Sequence, residues 1–266
     1  MYETIYHRPS SVDEAAALFA KGSESKYLAG GHTLIPVMKQ RLASPSDVID
    51  LAKIKELVGI EPTNDGIVIK AATTHYDVAQ SAIVKKAIPA VAYLASLIGD
   101  PAVRHRGTIG GSIANNDPAA DFPAAVLALG ATVKTNKRSI AADDFFKGLF
   151  STALADGEII TAVSFPIPAK AAYSKMRHPA SRFALTGVFV VKTKSGDVRV
   201  AATGASQNGV MRVPAIEAAL KANWSPGALD SVKISADGML ADIHGSSTYR
   251  ANLVKVMAQR AVADAS

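Results

Sequence analysis

Short apolar segments alternate with polar turns along the chain, and their spacing predicts a mixture of helices and strands. A helix is predicted to begin at Ser11, because Ser11 followed by Glu14 three residues later is the pattern of a capping box. Residues 26–29 and 47–51 read as short strands, and residues 33–41 between them predict a helix. The chain is therefore expected to open with a compact βαβ-like unit.

A second group of elements is predicted after this unit. The turn sequence Asn64-Asp65-Gly66 lies in the middle of residues 60–71, so this segment predicts a β-hairpin. Gly130 follows an apolar helical segment and is typical of the position just after a helix. The same patterning predicts helices entered at 73–77 and covering 89–98 and 123–129, and strands over 131–134 and 159–165.

Two prolines, Pro166 and Pro168, mark the best candidate for a domain boundary. The pattern after them predicts strands over 185–192 and 198–203 and helices over 214–222 and 247–263. These elements form a small α+β unit of roughly a hundred residues, close to an ordinary domain size.

The composition is that of a globular protein. With 266 residues and 48% hydrophobic content, the chain is long enough to bury a substantial core. No segment approaches the roughly 18 consecutive apolar residues that a membrane span needs. The N-terminal residues lack the basic and then apolar regions of a signal peptide, so we expect a cytoplasmic protein.

The absence of cysteine limits the possible chemistry. It excludes disulfides, thiolate zinc sites, a cysteine nucleophile and any iron–sulfur cluster held by this chain. A redox centre must therefore be a bound organic cofactor or belong to another subunit. The net charge of +6 is mild and the basic residues are scattered, while aromatic residues make up only 6%, which argues against nucleic-acid binding.

Two glycine-rich runs carry the main chemical signal. Each pairs two glycines with a hydroxyl residue, and each is expected to follow a strand or extended segment. Glycines let the backbone approach a ligand and direct several N–H groups at it, so two such runs predict a diphosphate held from two sides. The first run could instead be a tight strand-to-helix turn without a ligand, because it is neither a P-loop nor a dinucleotide fingerprint. The runs are Ala29-Gly30-Gly31-His32-Thr33 and Thr108-Ile109-Gly110-Gly111-Ser112.

The segment after the second run is rich in amides and acids, from Asn115 to Asp121. Asp121 is a candidate acceptor for a ribityl or ribose hydroxyl, as acids are in dinucleotide folds. The alternative is a loop of Asn and Asp residues that caps the helix predicted from Pro123.

Taken together, these segments resemble the FAD-binding medium subunit of molybdenum hydroxylases. This family includes carbon monoxide dehydrogenase and the separate flavoprotein subunits of the xanthine dehydrogenase family. The resemblance covers essentially the whole chain, and the paired motifs are specific although bare glycine pairs are not. The residues that carry it lie at 29–36, 98–104, 108–112, 116–121 and 177–183.

The resemblance implies an α+β fold in two domains. Residues 1–168 would form the two-part FAD-binding module of the vanillyl-alcohol-oxidase (PCMH) type, with subdomains of about 1–56 and 57–168. Residues 169–266 would form a small α+β domain similar to the C-terminal domain of carbon monoxide dehydrogenase flavoproteins.

The resemblance also implies a set of FAD-binding residues. Residues 28–35 and 108–112 would wrap the diphosphate, Asp121 would be the acidic contact, and Lys175 would be a basic residue near the flavin. No catalytic residue and no metal ligand are expected on this chain. The implied cofactor contacts are Leu28, Ala29, Gly30, Gly31, His32, Thr33, Leu34, Ile35, Ile98, Thr108, Ile109, Gly110, Gly111, Ser112, Asn116, Asp117, Asp121, Ile160 and Lys175.

The sequence departs from the family pattern at two positions. Phe183 stands where relatives often carry a tyrosine near the flavin ring, so it can stack but cannot donate a hydrogen bond. Asn115 stands where many relatives have histidine. His75 lies in a stretch that the resemblance places near the flavin, but a histidine at a helix entry explains it equally well. Covalent flavin attachment at His32 is disfavoured, because the subgroup binds FAD without a covalent bond.

The function implied by the resemblance is electron transfer. A partner with the molybdenum cofactor would hydroxylate the substrate, and a small partner with two [2Fe–2S] clusters would pass electrons to this FAD and on to an external acceptor. The expected assembly is a dimer of heterotrimers. Two alternatives stay open: a self-contained FAD-dependent oxidase or reductase of the same superfamily, and a non-catalytic assembly protein.

Overall fold

The computed structural model describes residues 1–265, and its first sheet is small and parallel. Strands β1 (Ile5–His7), β2 (Ser25–Leu28) and β3 (Asp47–Asp50) lie in the order β1-β3-β2. The two predicted strands are confirmed as β2 and β3. Strand β1 was not predicted, because it has three residues and exposes Ile5 and Tyr6, so it has no apolar pattern.

Helices α1 (Val12–Lys21) and α2 (Leu34–Lys39) confirm the predicted helices of this unit. Ser11 caps α1 as predicted, because its hydroxyl accepts a hydrogen bond from Glu14 N at 3.1 Å. The Glu14 carboxylate does not reach back to Ser11 as in a full capping box. It accepts instead from the backbone N–H of Ser10 at 2.7 Å and from its hydroxyl at 2.8 Å.

The second sheet is antiparallel, with five strands in the order β4-β5-β10-β6-β7. The predicted hairpin is confirmed, since β4 and β5 pair on either side of residues 63–65. A helical segment between β5 and β6 supplies most of the core around Phe122. The strands are β4 (Ile60–Pro62), β5 (Gly66–Lys70), β6 (Thr132–Thr135), β7 (Ser139–Ala141) and β10 (Ile160–Pro166).

The helices of this part are short, and three of them were not predicted as helices in their own right. Gly130, with φ of +61°, follows the last of them as predicted. They are α3 (His75–Gln80), α4 (Ala82–Ala87), α5 (Pro89–Ser96), α6 (Pro101–Arg104), α7 (Ile109–Asn115) and α8 (Phe122–Ala128). The three that were not predicted are α4, α6 and α7. Between β7 and β10 lie α9 (Ala142–Phe145) and the hairpin β8 (Phe146–Gly148) and β9 (Ser151–Thr152).

The expectation that the second glycine run follows a strand or extended segment is wrong. The run follows α6 and lies at the start of α7. The helix begins here because Thr108 caps it, accepting a hydrogen bond from Gly111 N at 3.1 Å. Gly110 packs so closely on the backbone of Ala71 that a Cβ on it would lie 2.6 Å from the Ala71 Cβ.

The third sheet is antiparallel, in the order β11-β12-β13-β14. Its strands β12 and β13 and both of its helices were predicted. Strand β11 was not, because its buried centre at Tyr173 is flanked by polar and exposed residues on both sides. The elements are β11 (Lys170–Arg177), β12 (Ala184–Lys192), β13 (Val198–Ser206), β14 (Gly209–Arg212), α10 (Pro214–Ala222) and α11 (Ser247–Asp264).

The third sheet is buried on both faces. One face contributes Tyr173 and Phe189 to the same core as Phe122 of α8. The other face packs against α10 and α11 in a core of its own around Val188 and Val254. This arrangement places the third sheet directly against α8 and against the loop of residues 117–121, which follows the helix that carries the second glycine run. No helix within residues 1–265 is long and apolar enough to cross a lipid bilayer.

Candidate cofactor site

The two glycine runs, far apart in sequence, lie against each other. Gly30 packs on the peptide that precedes the second run, where a Cβ would overlap the carbonyl oxygen of Arg106. A Cβ on Gly111 would lie 3.5 Å from the Ala29 Cβ. The contact requires glycine at position 30, because a side chain there would push the two loops apart, whereas a Cβ on Gly111 would make an ordinary van der Waals contact with Ala29.

The first run presents unpaired backbone donors. The N–H groups of the four residues 30–33 donate to no acceptor within residues 1–265. The loop turns at Gly31, whose φ of +76° lies in the left-handed region that favours glycine. His32 and Thr33 are exposed on the same turn. Consecutive free N–H groups in such a turn form a concave site for an anion, and a diphosphate has that chemistry.

The second run differs, because the protein itself uses its donors. The N–H of Ile109 donates to Thr73 O at 3.2 Å, and that of Gly110 donates to Ala71 O at 2.8 Å. The N–H of Ser112 donates to Thr108 O at 3.0 Å. In this structure the second run therefore forms a rigid wall beside the first run rather than a second set of free donors. Contact of FAD with residues 108–112 stays a prediction.

Asp121 lies at the junction between α8 and the third sheet. Its Oδ1 accepts a hydrogen bond from the Tyr173 hydroxyl at 2.6 Å and lies 2.8 Å from Lys175 Nζ. The side chains of Asp121 and Lys175 are almost completely buried, with exposed fractions of 3% and 0%. Burial raises the pKa of Asp121, although the ammonium and the phenol oppose that shift.

Two further features of the Asp121–Lys175 pair determine what kind of ligand it can bind. Oδ2 of Asp121 receives no hydrogen bond from residues 1–265, since both contacts fall on Oδ1. The Lys175 ammonium is paired with Asp121 but has no well-aligned hydrogen-bond acceptor in the described part of the chain. The site thus retains one free acceptor and free donors, which suits a ligand that carries both hydroxyl and acceptor groups.

The alternative that Asp121 merely caps α8 is not what the structure shows. The Asp121 side chain makes no capping hydrogen bond to α8, although the residue occupies the position before it. Asp117 makes a local turn instead, accepting from Ala119 N at 2.8 Å. The acid at position 121 therefore faces the third sheet, not its own helix.

Asn116 connects the end of α7 to the β8–β9 hairpin. It ends α7 in the left-handed conformation, with φ of +44°, and is buried. Its amide Nδ2 donates to Gly148 O at 2.7 Å and to Ser151 O at 2.9 Å, which ties the β8–β9 hairpin to the site. Its Oδ1 is buried without a hydrogen-bond partner among residues 1–265, and a direct contact of Asn116 with FAD stays a prediction.

The two apolar residues predicted to flank the cofactor are both buried in the main core. The backbone oxygen of Ile98 accepts from the Arg104 guanidinium at 2.9 Å. Ile160 opens β10, and the next residue, Thr161, accepts from Ala71 N at 2.9 Å, close to where Gly110 packs. Ile160 therefore lies on a segment that borders the second run, and the contact of both residues with FAD stays a prediction.

His75 is buried, and the sequence alone did not decide between a position near the flavin and a structural role at a helix entry. A Cβ on Gly107 would lie 2.9 Å from its imidazole, so the ring supports the peptide just before the second run. Burial lowers the pKa of His75 to about 3, and its Nδ1 has no partner within residues 1–265. The ring is therefore neutral and part of the site's wall. The helix entry at Thr74 and the resemblance were the only sequence signals for it.

Phe183 lies in the tight connection between β11 and β12. The connection closes where His178 N donates to Phe183 O at 2.9 Å, and Arg182 turns it with φ of +62°. The Phe183 ring is 49% exposed. An exposed aromatic ring on the loop that follows the Lys175 strand is available to stack on a planar ligand, and its contact with FAD stays a prediction.

The residues present fit a dinucleotide with a diphosphate. The free donors of the first run suit the phosphates, and the closely packed glycines leave no side chain between the two loops. Two buried polar atoms that have no hydrogen-bond partner within residues 1–265 border the second run, namely Nδ1 of His75 and Oδ1 of Asn116. The fold and the site together define a flavin-dinucleotide-binding class of protein.

Comparison with known proteins identifies the family. Residues 1–168 match the model of the FAD binding domain in molybdopterin dehydrogenase. The chain is 36% identical to the carbon monoxide dehydrogenase medium chain of Afipia carboxidovorans, over 97% of this chain and 94% of the relative. It is also 36% identical to the nicotine 6-hydroxylase medium subunit of Paenarthrobacter nicotinovorans, over 98% and 96% of the two chains.

Similarity to solved structures supports the same family assignment. A chain of the reconstituted CO dehydrogenase from Oligotropha carboxidovorans has a TM-score of 0.89 and 34% identity, covering 98% of this chain and 96% of that one. A chain of quinoline 2-oxidoreductase from Pseudomonas putida has a TM-score of 0.83 and 27% identity, with the same coverage. The chain belongs to the family of FAD-binding medium subunits of molybdenum hydroxylases, and FAD is its cofactor. It is an oxidoreductase component.

Proposed function

We propose that this chain is the electron-transfer subunit of a molybdenum-containing hydroxylase or dehydrogenase. It takes electrons from [2Fe–2S] clusters of one partner subunit and passes them to an external acceptor. The family match and the free donors of residues 30–33 beside the second run support this proposal. FAD supplies the redox chemistry when bound, and the protein supplies binding, orientation and electrostatics.

The roles proposed for individual residues follow from their surroundings. Residues 28–35 bind the diphosphate through backbone N–H groups, and residues 108–112 form the opposite wall. The free Oδ2 of Asp121 accepts from a hydroxyl of the cofactor, and the buried Lys175 ammonium provides positive charge near the flavin. Ile98 and Ile160 contribute apolar surface, while Phe183 is available to stack on the ring.

The proposed partners are a large subunit with the molybdenum cofactor and a small iron–sulfur subunit, in a dimer of heterotrimers located in the cytoplasm. The relatives support this division, since they are named medium chains or medium subunits. The absence of cysteine agrees, because no iron–sulfur cluster can be held by cysteines of this chain. We place the domain division at residue 168, where the second sheet has ended and before the third begins.

The test is to purify the chain together with the products of its neighbouring genes. A visible spectrum is recorded before and after acid release of the flavin. Released FAD with a copurifying molybdenum subunit and iron–sulfur absorption supports the proposal. Released FAD on a chain that turns over substrate alone indicates a self-contained flavoenzyme. A chain that binds no FAD, even when FAD is added, supports the assembly-protein alternative.

A further inference from the structure

The loop of residues 117–121 joins α7 to α8, yet the third sheet holds it. The Thr203 hydroxyl lies 2.9 Å from Pro118 O and 2.7 Å from Ala120 O, so its single hydrogen is shared between two acceptors. The N–H of Gly204 donates to Pro118 O at 2.7 Å. Thr203 is fully buried, so these contacts form in a region without competing water.

The end of the same loop is held by a second strand of that sheet. Tyr173 of β11 crosses the junction and donates to Oδ1 of Asp121 at 2.6 Å. Space for its hydroxyl exists only because Gly187, the β12 partner of Lys175, has no side chain, since a Cβ there would overlap the phenol oxygen. Tyr173 is fully buried, so its hydroxyl donates to Asp121 and not to solvent.

We infer that Tyr173 and Thr203 are positioning residues of the cofactor site. Through them the third sheet fixes loop 117–121 and orients the Asp121 carboxylate, with Oδ1 held and Oδ2 left for a hydroxyl of the bound dinucleotide. The inference rests on the proposed function, because it assigns a role toward FAD. It also makes the third sheet part of the binding site, although residues 1–168 alone match the FAD-binding family model.

A carboxylate that is already oriented binds a hydroxyl more tightly than a mobile one, because less freedom is lost on binding. Without Tyr173 the carboxylate keeps Lys175 as its partner but loses the hydrogen bond that fixes its direction. A hydrogen bond to a charged group contributes enough that its loss should weaken FAD binding about tenfold.

The test measures FAD dissociation constants on the full chain by titration of flavin fluorescence. We expect Tyr173→Phe to weaken FAD binding about tenfold, and Tyr6→Phe to change it less than about twofold. Tyr6 is a matched control, since its hydroxyl donates to Asp50 at the same distance of 2.6 Å but on the exposed edge of the first sheet.

A double-mutant cycle with Asp121→Asn separates positioning from general damage. If Tyr173 acts through Asp121, Tyr173→Phe has a much smaller effect in the Asp121→Asn background than in the wild-type background. Equal effects in both backgrounds, or no effect in either, overturn the inference while leaving FAD binding by the wild type intact. A wild-type chain that binds no FAD overturns the proposed function itself.

Thr203 gives an independent test should Tyr173→Phe fail to fold. Thr203→Ser keeps the hydroxyl that reaches Pro118 and Ala120, whereas Thr203→Val keeps the shape and loses the hydroxyl. We expect Thr203→Val to weaken FAD binding by about fivefold or more and Thr203→Ser to bind nearly as the wild type does. Equal binding by the two variants contradicts a positioning role for Thr203.

Discussion

Gly30 and Arg106 meet backbone to backbone, so that the first glycine run rests on the peptide that leads into the second. A Cβ on Gly30 would overlap the Arg106 carbonyl oxygen, and a carbonyl of the main chain cannot move aside as a flexible side chain can. The contact fixes the separation of the two walls of the cofactor site.

We therefore expect Gly30→Ala to separate the two runs and to weaken FAD binding by about fivefold to a hundredfold, since overpacking costs about 1–3 kcal/mol. The measurement is the FAD dissociation constant of the full chain. Gly227→Ala is the matched control, because a Cβ there meets only the Asp230 carboxylate at 3.9 Å. Wild-type affinity in Gly30→Ala would show that the contact between Gly30 and Arg106 does not control FAD binding.

Arg250 of α11 provides a second prediction, on the stability of the third sheet. Its buried guanidinium donates to Leu185 O and Gly204 O, both at 2.6 Å, and to Asp242 Oδ2 at 2.7 Å. Arg250→Met removes the guanidinium from both carbonyl oxygens and leaves Leu185 O with only the Thr186 hydroxyl as a side-chain donor, so we expect a loss of about 3 kcal/mol in the free energy of unfolding. Urea denaturation followed by circular dichroism measures it.

The control for this prediction lies on the same helix. Arg260 is exposed, so Arg260→Met should change the free energy of unfolding by less than about 0.5 kcal/mol. A similar small change in Arg250→Met would mean that water replaces the guanidinium at the two carbonyl oxygens.

The features that the sequence predicts correctly are local ones. The Ser11 cap and the hairpin around residues 63–65 depend on residues a few positions apart, and the structure contains both. The bond between Tyr173 and Asp121 joins residues 52 positions apart, on a strand that has no clear pattern of its own. Its existence depends on how the third sheet packs, which no local pattern encodes.

The two glycine runs show that local sequence also predicts the cofactor site incompletely. Their sequences are nearly equivalent, with two glycines and a hydroxyl residue in each. Only the structure shows that residues 30–33 keep their donors free while Ile109 and Gly110 donate to residues 71–73. Glycine content predicts that a backbone can approach a ligand, but the neighbouring chain decides whether its N–H groups remain available.

His75 gives a prediction about pH. Its pKa is lowered by burial to about 3 in the folded chain from an ordinary value of 6.5, so only the unfolded chain takes up a proton between these values. The stabilisation that depends on the neutral His75 ring is therefore fully present above pH 6.5 and is lost as the pH falls below that value. Between pH 7 and pH 5 the wild type should lose about 2 kcal/mol more than His75→Gln.

Urea denaturation of both proteins at the two pH values measures this difference. The NMR signal of the His75 ring gives an independent check, since it should not titrate between pH 5 and pH 8. A ring that titrates in that range, or an equal loss of stability in both proteins, would show that water reaches the imidazole.

Glu158 gives the last prediction, on acid stability. Its buried carboxylate accepts from the Arg138 guanidinium at 3.0 Å, from Ala155 N at 2.8 Å and from the Thr135 hydroxyl at 2.7 Å. These bonds, the Arg138 bond above all, lower its pKa to about 2 from an ordinary value of 4.5. Because the folded pKa is the lower one, the stabilisation is complete above pH 4.5 and is lost as the pH falls toward 2.

Arg138 is 51% exposed, so solvent screens part of the interaction. With that discount, the wild type should lose about 1 kcal/mol more than Glu158→Gln when the pH is lowered from 7 to 3.5. Glu61→Gln removes a surface ion pair with Lys70 instead, and should change stability at pH 7 by less than about 0.5 kcal/mol. If Glu158→Gln lost as much stability with acid as the wild type, the group responsible would have to be another carboxylate.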